Sequence, residues 1–63
     1  MSDYDERIII EKQDIDKKIN CLIAFMDTNG FTLINPKEKK RLEKQLLIME
    51  EYSKILSERI DFI

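Results

Sequence analysis

Residues 35–63 read NPKEKKRLEKQLLIMEEYSKILSERIDFI, and this stretch decides the fold. Asn35 is a preferred N-cap residue and Pro36 suits the first position of a helix, so a helix is predicted from about residue 36 to residue 63. Its apolar residues recur at alternating spacings of four and three, with one serine among them: Leu42, Leu46, Met49, Ser53, Leu56, Ile60 and Ile63. This heptad seam predicts that one face packs against another helix.

The polar member of the seam, Ser53, has more than one interpretation. A small polar residue there lets two helices approach closely or sets their register. In the simpler interpretation its hydroxyl bonds back to a carbonyl one turn earlier in the same helix.

The first part of the chain predicts a matching helix at about residues 3–28. Ser2 is a suitable N-cap, and acidic residues follow it at the positive end of the helix dipole. A helical wheel places one basic and six mainly apolar residues on a single face: Tyr4, Ile8, Lys12, Ile15, Ile19, Leu22 and Met26. Lys12 is expected to lay its stem along that face with its amine in water.

The two helices are separated by a loop predicted at about residues 29–35. Asn29 and Gly30 both tolerate the left-handed conformation that ends a helix, and Phe31, with Leu33 or Ile34, is expected to cover the end of the helix pair. A connection of this length favours antiparallel neighbours, with Tyr4 near Ile60. The sequence therefore predicts an all-α, antiparallel two-helix hairpin as one domain over residues 1–63.

Composition excludes several ways of stabilising so short a chain. A domain of 63 residues buries only about 60% of its unfolded surface, so small folds usually need disulfides, a metal or oligomerisation. Cys21 is the single cysteine and there is no histidine, which rules out an intrachain disulfide and a tetrahedral zinc site. Cys21 is interpreted as a small buried hydrophobe. Oligomerisation remains.

Charge and motifs exclude further functional classes. The net charge of −2 argues against a nucleic-acid binder, and no apolar run reaches the roughly 18 residues of a membrane span. The acidic N-terminus is unlike a signal or transit peptide, so a cytoplasmic protein with no membrane partner is expected. Without a Gly-rich phosphate loop, a nucleophile motif or metal-ligand spacing, the prediction is a non-enzymatic protein with no catalytic residues, no metal site and no cofactor.

Both helices carry more apolar surface than one partner helix covers. On the second helix a further line lies roughly 90° from the seam on the helical wheel; we call it the second stripe: Ile48, Tyr52, Ile55 and Phe62. On the first helix four residues lie off the main face: Ile9, Ile10, Cys21 and Phe25. Each such side chain left exposed forgoes about 1.5–3 kcal/mol. A homo-oligomer is therefore predicted, either a dimeric four-helix bundle or a larger ring.

Aromatic and cationic residues lie on the same flank of the second helix as the second stripe. Antiparallel pairing brings residues of the first helix to the open end, where the hairpin has its two termini. Aromatic rings and guanidinium planes suit bases and phosphates. The candidate ligand-binding residues are Tyr4, Arg7, Arg41, Lys44, Tyr52 and Arg59.

Ordinary roles for the same side chains remain open. In this alternative Tyr52 packs in an oligomer interface, and Arg59 pairs with Glu6 or Glu58. The basic cluster at residues 37–44 either attracts a phosphate at the helix N-terminus or forms a solvated face.

A longer pattern links the two helices: Glu11, Lys12, Ile15, Asp16, Lys18, Ile19 and Leu22, then Pro36, then Leu46, Met49, Tyr52, Ile55, Leu56, Arg59 and Ile60. It resembles small helical-hairpin proteins of bacteriophages, and the second helix is similar to the hairpin domain of phage anti-CBASS and anti-Thoeris sponge proteins. The resemblance implies a homo-oligomer without catalytic activity. Such a protein binds a cyclic nucleotide immune signal between protomers, in the host cytoplasm, and counters host defence.

A different function fits the same surfaces. The second stripe suits an oligomeric helical adaptor or inhibitor that binds a host or phage protein.

Overall fold

The computed structural model describes residues 2–63; residue 1, which the predicted domain includes, lies outside this range. The described chain forms α1 (Asp3–Met26), α2 (Asn29–Leu33) and α3 (Pro36–Asp61). Helix makes up 89% of it and none of these residues is in a strand. The two long helices lie side by side in a rod that measures 46 × 15 × 13 Å. The predicted all-helical fold with a pair of long helices is confirmed.

Both long helices begin at the predicted caps. The Ser2 hydroxyl accepts a hydrogen bond from the Asp5 backbone N–H at 3.2 Å, and the Asp5 carboxylate accepts one from the Ser2 N–H at 3.4 Å. This reciprocal pair satisfies two N–H groups that have no partner inside the helix. At the start of α3, the Asn35 side-chain oxygen accepts from the Lys37 N–H at 2.8 Å, and Pro36 occupies the first helical position.

The connection between the long helices differs from the prediction. Gly30 does not adopt a left-handed conformation, so its predicted role as a helix stop is wrong. Instead the Thr28 hydroxyl accepts from the Phe31 N–H at 3.4 Å and donates to the Phe25 carbonyl at 2.6 Å, which begins the short helix α2. The Phe31 ring then packs edge-on against Phe25, with centroids 6.1 Å apart. A capping threonine and an aromatic pair thus turn the expected loop into one more helical segment.

The core consists of the predicted inner faces of α1 and α3. Its four buried side chains are Ile8, Ile15, Ile19 and Leu56. Leu56 has no exposed surface, and three further seam residues of α3 pack against the cluster while partly buried: Leu46, Met49 and Ile60. The core is therefore a single narrow layer, so the outer faces of both helices remain available for other contacts.

A polar network interrupts this layer midway along the rod. The Lys12 ammonium donates to the Asp16 carboxylate at 2.6 Å and to the Ser53 hydroxyl at 3.0 Å. Ser53 in turn donates to the other Asp16 oxygen at 2.6 Å, so its hydroxyl bonds across the helix pair and not to a carbonyl of its own helix. The Lys12 amine, expected in water, is engaged in the network. These bonds join the helices at a fixed register.

The same bonds lower the pKa of Asp16 below its ordinary value of 3.8. The hydrogen bond from Lys12 is the largest cause, followed by the bond from Ser53, and the positive charge of Lys12 adds to them. Each favours the ionised carboxylate over the neutral acid.

Candidate ligand-binding surface

The second stripe lies exposed along α3. The exposed fractions of Ile48, Ile55 and Phe62 are 59%, 52% and 91%, and Tyr52 is exposed as well. On α1, Ile10 and Phe25 also face solvent. A contiguous apolar line of this kind is typical of an interaction surface.

Cys21 is exposed too, so its interpretation as a buried hydrophobe is wrong. The reason lies in its helical position, because the heptad faces of α1 and α3 meet along Ile8, Ile15 and Ile19, and Cys21 lies off that line.

Tyr4 and Arg59 meet at the open end of the hairpin. Tyr4 lies in the first turn of α1 and Arg59 in the last turn of α3, and the guanidinium Nη2 donates to the phenol oxygen at 2.9 Å. We call these two residues the open-end pair. A guanidinium has five N–H donors, so one bond to Tyr4 leaves others for a further acceptor.

The ordinary role considered for Arg59, an ion pair with Glu6 or Glu58, is not found among the described residues. The ion pairs found within residues 2–63 are Lys12–Asp16 and Arg41–Glu38. Arg59 therefore does not pair with Glu6 or Glu58 as the ordinary interpretation expected. Its exposed guanidinium is oriented by a neutral phenol and keeps its positive charge uncompensated by an ion-pair partner.

The other candidate residues lie at differing distances from the open-end pair. Arg7 is exposed about one turn beyond Tyr4 on α1, and Tyr52 lies two turns before Arg59 on α3, which is about 10 Å along the helix axis. These residues lie in the half of the rod that contains the open end.

Arg41 and Lys44, which we call the turn-side cations, lie in the opposite half. At a rise of 1.5 Å per residue they are about 27 and 22 Å from Arg59 along α3. Both are exposed, and Arg41 makes a surface ion pair with Glu38 at 3.3 Å. One chain thus holds the six candidate residues in two separate groups and does not gather them at one point.

The basic cluster at the start of α3 is partly engaged at the turn. The Lys39 ammonium donates to the Thr32 carbonyl at 2.9 Å and lies 5.7 Å from the centroid of the Phe31 ring. This cation holds α2 against α3, so its role in the described structure is to fasten the turn.

Sequence patterns did not reveal the network of Lys12, Asp16 and Ser53 as a unit. The available signals were a lysine on the apolar face of α1 and a serine in the seam of α3, each polar where its neighbours are apolar. Pairing those two anomalies across the antiparallel hairpin would have identified the network, because the register that sets Tyr4 near residue 60 also sets Lys12 near Ser53.

The rod is two helices wide. Its Cα atoms spread over 15 × 13 Å in cross-section, which is the width of two backbone cylinders packed side by side. No pocket is detected anywhere in the described chain, and its acidic and thiol side chains form no group of three or more suited to a metal ion. None of the helices between residues 2 and 63 is long and apolar enough to cross a membrane.

Comparison with known protein families gives a match over almost the whole chain. A family model described as Sequestin matches residues 2–62. Sequestin is the phage family of cyclic-nucleotide sponge proteins, so the resemblance seen in the sequence pattern is confirmed. No curated protein and no solved structure matches the chain.

Proposed function

This chain belongs to the Sequestin family, and on that premise we propose that it is a non-enzymatic sponge, which binds a cyclic nucleotide immune signal and withholds it from host defence effectors. The family match over residues 2–62 is the observation that carries the proposal. The surface chemistry described above supports it.

The candidate residues offer what a cyclic nucleotide requires. Its phosphates are anions that a guanidinium binds in a bidentate manner, and its bases are flat surfaces that stack on aromatic rings. Arg59 is already oriented by Tyr4 through a bond of 2.9 Å, so less side-chain freedom is lost when a phosphate binds. Tyr52 supplies an exposed ring on the same helix. We infer that Arg7 and the turn-side cations complete the set.

We infer further that the ligand binds between protomers of a homo-oligomer. A rod two helices wide offers one wall of a binding site, and a second protomer supplies the opposite wall. The second stripe gives the protomers a reason to associate, because its exposed apolar area is removed from water in the assembly.

Isothermal titration against a panel of cyclic dinucleotides and trinucleotides tests the function. We expect at least one saturable binder, with a loss of about 10-fold or more in affinity for Arg59→Ala, since a hydrogen bond to a charged group contributes about 1.5–3 kcal/mol. Lys54→Ala is the matched control, because it also removes one exposed cation from the same half of α3. Folded protein that binds nothing in the panel would contradict the proposal.

A release experiment separates a sponge from an enzyme. After binding, heat denaturation should return the cyclic nucleotide unchanged, as read by chromatography and mass. Recovery of a linear or hydrolysed product in proportion to incubation time would show turnover, which this proposal excludes.

The exposed second stripe also supports a second candidate, an adaptor or inhibitor that binds a host or phage protein. Affinity capture distinguishes the two. A stoichiometric protein partner that is lost in Ile55→Asp, together with no effect of any cyclic nucleotide on the melting temperature, would favour the adaptor.

A further inference from the structure

We propose that a second copy of this chain docks antiparallel on α3, so that each ligand site is shared between the open-end pair of one protomer and the turn-side cations of the other. The ligand part of this inference rests on the proposed function. The docking part stands on the pattern of charge and apolar surface along α3.

The second stripe has a spacing that fits an antiparallel copy of itself. Together with the turn-side cations and Arg59 it continues along one flank of α3 at intervals of three and four: Arg41, Lys44, Ile48, Tyr52, Ile55, Arg59 and Phe62. A two-fold axis beside Tyr52 sets Ile48 against the partner's Ile55, and the reverse. All of these apolar residues are exposed in the single chain, so docking buries a continuous apolar centre.

The same register decides what meets at the two ends. Counting outward from the axis, Lys44 lies opposite the partner's Arg59, and Arg41 lies opposite the partner's Phe62. The two groups that are about 22–27 Å apart within one chain therefore come together between chains. Because Arg59 contacts Tyr4, the α1 phenol is brought to the same place. The dimer has two such sites, one on each side of the apolar centre.

Charge along α3 favours the antiparallel direction. Residues 37–44 contain five basic and two acidic side chains, whereas residues 50–61 contain two basic and four acidic ones. A parallel pair would place each half against a half of the same sign. An antiparallel pair sets the positive half of each helix against the negative half of the other, and this kind of complementarity fixes orientation more than affinity.

Each shared site has a specific requirement for its ligand. Arg59, Lys44 and Arg41 are three cations that repel one another when nothing lies between them, even though acidic residues elsewhere on α3 favour the pairing. An anion with at least two negative charges relieves that repulsion, and flat groups attached to it meet Tyr4 and Phe62. The ligand and the dimer interface are then linked, so binding of such an anion tightens the dimer.

Disulfide cross-linking tests the docking without any ligand. In a Cys21→Ser background, Ile48→Cys and Ile55→Cys are made separately, since both side chains are exposed and lie outside the core. We expect little linked dimer from either variant alone and a strong dimer band from their mixture after mild oxidation. Tyr52→Cys, beside the axis, should link to itself.

Other cross-linking results overturn the docking. Linked dimer in each single variant but not preferentially in the mixture indicates a parallel pair, and no linkage in the mixture indicates that α3 is not the interface. Circular dichroism of each variant checks that the hairpin is intact. Neither result bears on whether the protein binds a nucleotide, so failure of the docking and failure of the proposed function are distinguishable.

Mixing binding-defective variants tests the shared site. Arg59→Ala and Lys44→Ala should each bind poorly alone to cyclic di-AMP, cyclic di-GMP and cyclic GMP-AMP, the probes in the titration. Their mixture should regain about a quarter of the sites, because half of the dimers are mixed and one of the two sites in each is intact.

The stoichiometry of the mixture decides the outcome. A mixture that remains as weak as its components, although cross-linking shows mixed dimers, overturns the shared site. If the unmodified protein binds none of the three probes, the ligand part of the inference falls together with the proposed function, whereas the cross-linking pattern still decides the docking.

Discussion

Gly30→Ala is expected to stabilise the protein. Gly30 lies near the start of α2, and its backbone is not in the left-handed region that favours glycine. A Cβ at this position would lie 3.5 Å from the Thr28 hydroxyl oxygen and 3.6 Å from a ring carbon of Phe25, which are ordinary contact distances. Alanine therefore fits without strain. Because it loses less backbone freedom on folding, we expect a gain of about 0.5–1 kcal/mol in the free energy of unfolding.

Thermal unfolding followed by circular dichroism measures the effect. For a domain of this size the gain corresponds to a rise of about 2–8 °C in the melting temperature. Protein concentration must be equal in all samples, because an oligomer melts at a temperature that depends on it.

The matched control is D-alanine at the same position, introduced by chemical synthesis of the 63-residue chain. D-Alanine favours the left-handed region that L-alanine avoids, so it should lower the melting temperature where L-alanine raises it. The reverse order would refute the helical conformation of Gly30 and would restore the left-handed helix stop expected from the sequence.

Three further changes test the core, the polar network and a cap. Leu56→Ala should lower the free energy of unfolding in urea by about 2–5 kcal/mol because it leaves a cavity at a fully buried site. Leu47 lies on the same helix and is 64% exposed, so Leu47→Ala should change the free energy of unfolding by less than about 1 kcal/mol, and similar losses in both variants would contradict the assigned core. Asp16→Asn should lower the melting temperature at about pH 7 but make little difference once the pH has fallen through the lowered pKa of Asp16. The ionised carboxylate stabilises the fold at pH values above 3.8, the ordinary pKa of the group, and this effect is lost when the carboxylate is protonated. The exposed Asp14→Asn is the control, and an equal deficit at both pH values would argue against the network. Asn35→Ala should cost about 0.5–2 kcal/mol in urea unfolding, and no loss would mean that the cap at α3 is dispensable.

The long helices and their pairing could be predicted from local sequence signals. Caps at Ser2 and Asn35 and two heptad faces specify where helices begin and which sides meet. The antiparallel register was also accessible. Tyr4 was expected near residue 60, and it contacts Arg59, the preceding residue.

The turn was not predictable by the same rules. Asn-Gly is compatible both with a left-handed stop and with the first turn of a new helix. The choice depends on Thr28, whose hydroxyl bonds both to Phe25 and to Phe31, and on the packing of those two rings. Only a three-dimensional arrangement shows that both conditions are met together.

The candidate site was predictable in composition but not in arrangement. Residue types suited to phosphates and bases can be read from the sequence, and the contact between Tyr4 and Arg59 follows from the antiparallel register. The distance between the turn-side cations and Arg59 follows from the helix rise per residue. A helical wheel does not show this distance, because it draws every residue in one plane and omits position along the helix axis.

The polar network of Lys12, Asp16 and Ser53 has a mechanical consequence for the ligand-binding end. In a hairpin whose interface is entirely apolar, one helix can slide past the other by a heptad, about 10.5 Å, and still contact the same kinds of side chain. Here such a slide would separate the Ser53 hydroxyl of α3 from Lys12 and Asp16, which lie together on α1, and would set apolar seam residues of α3 against that charged pair. The network therefore prevents a change of register between the helices, and so it keeps the phenol of Tyr4 and the guanidinium of Arg59 within hydrogen-bond distance.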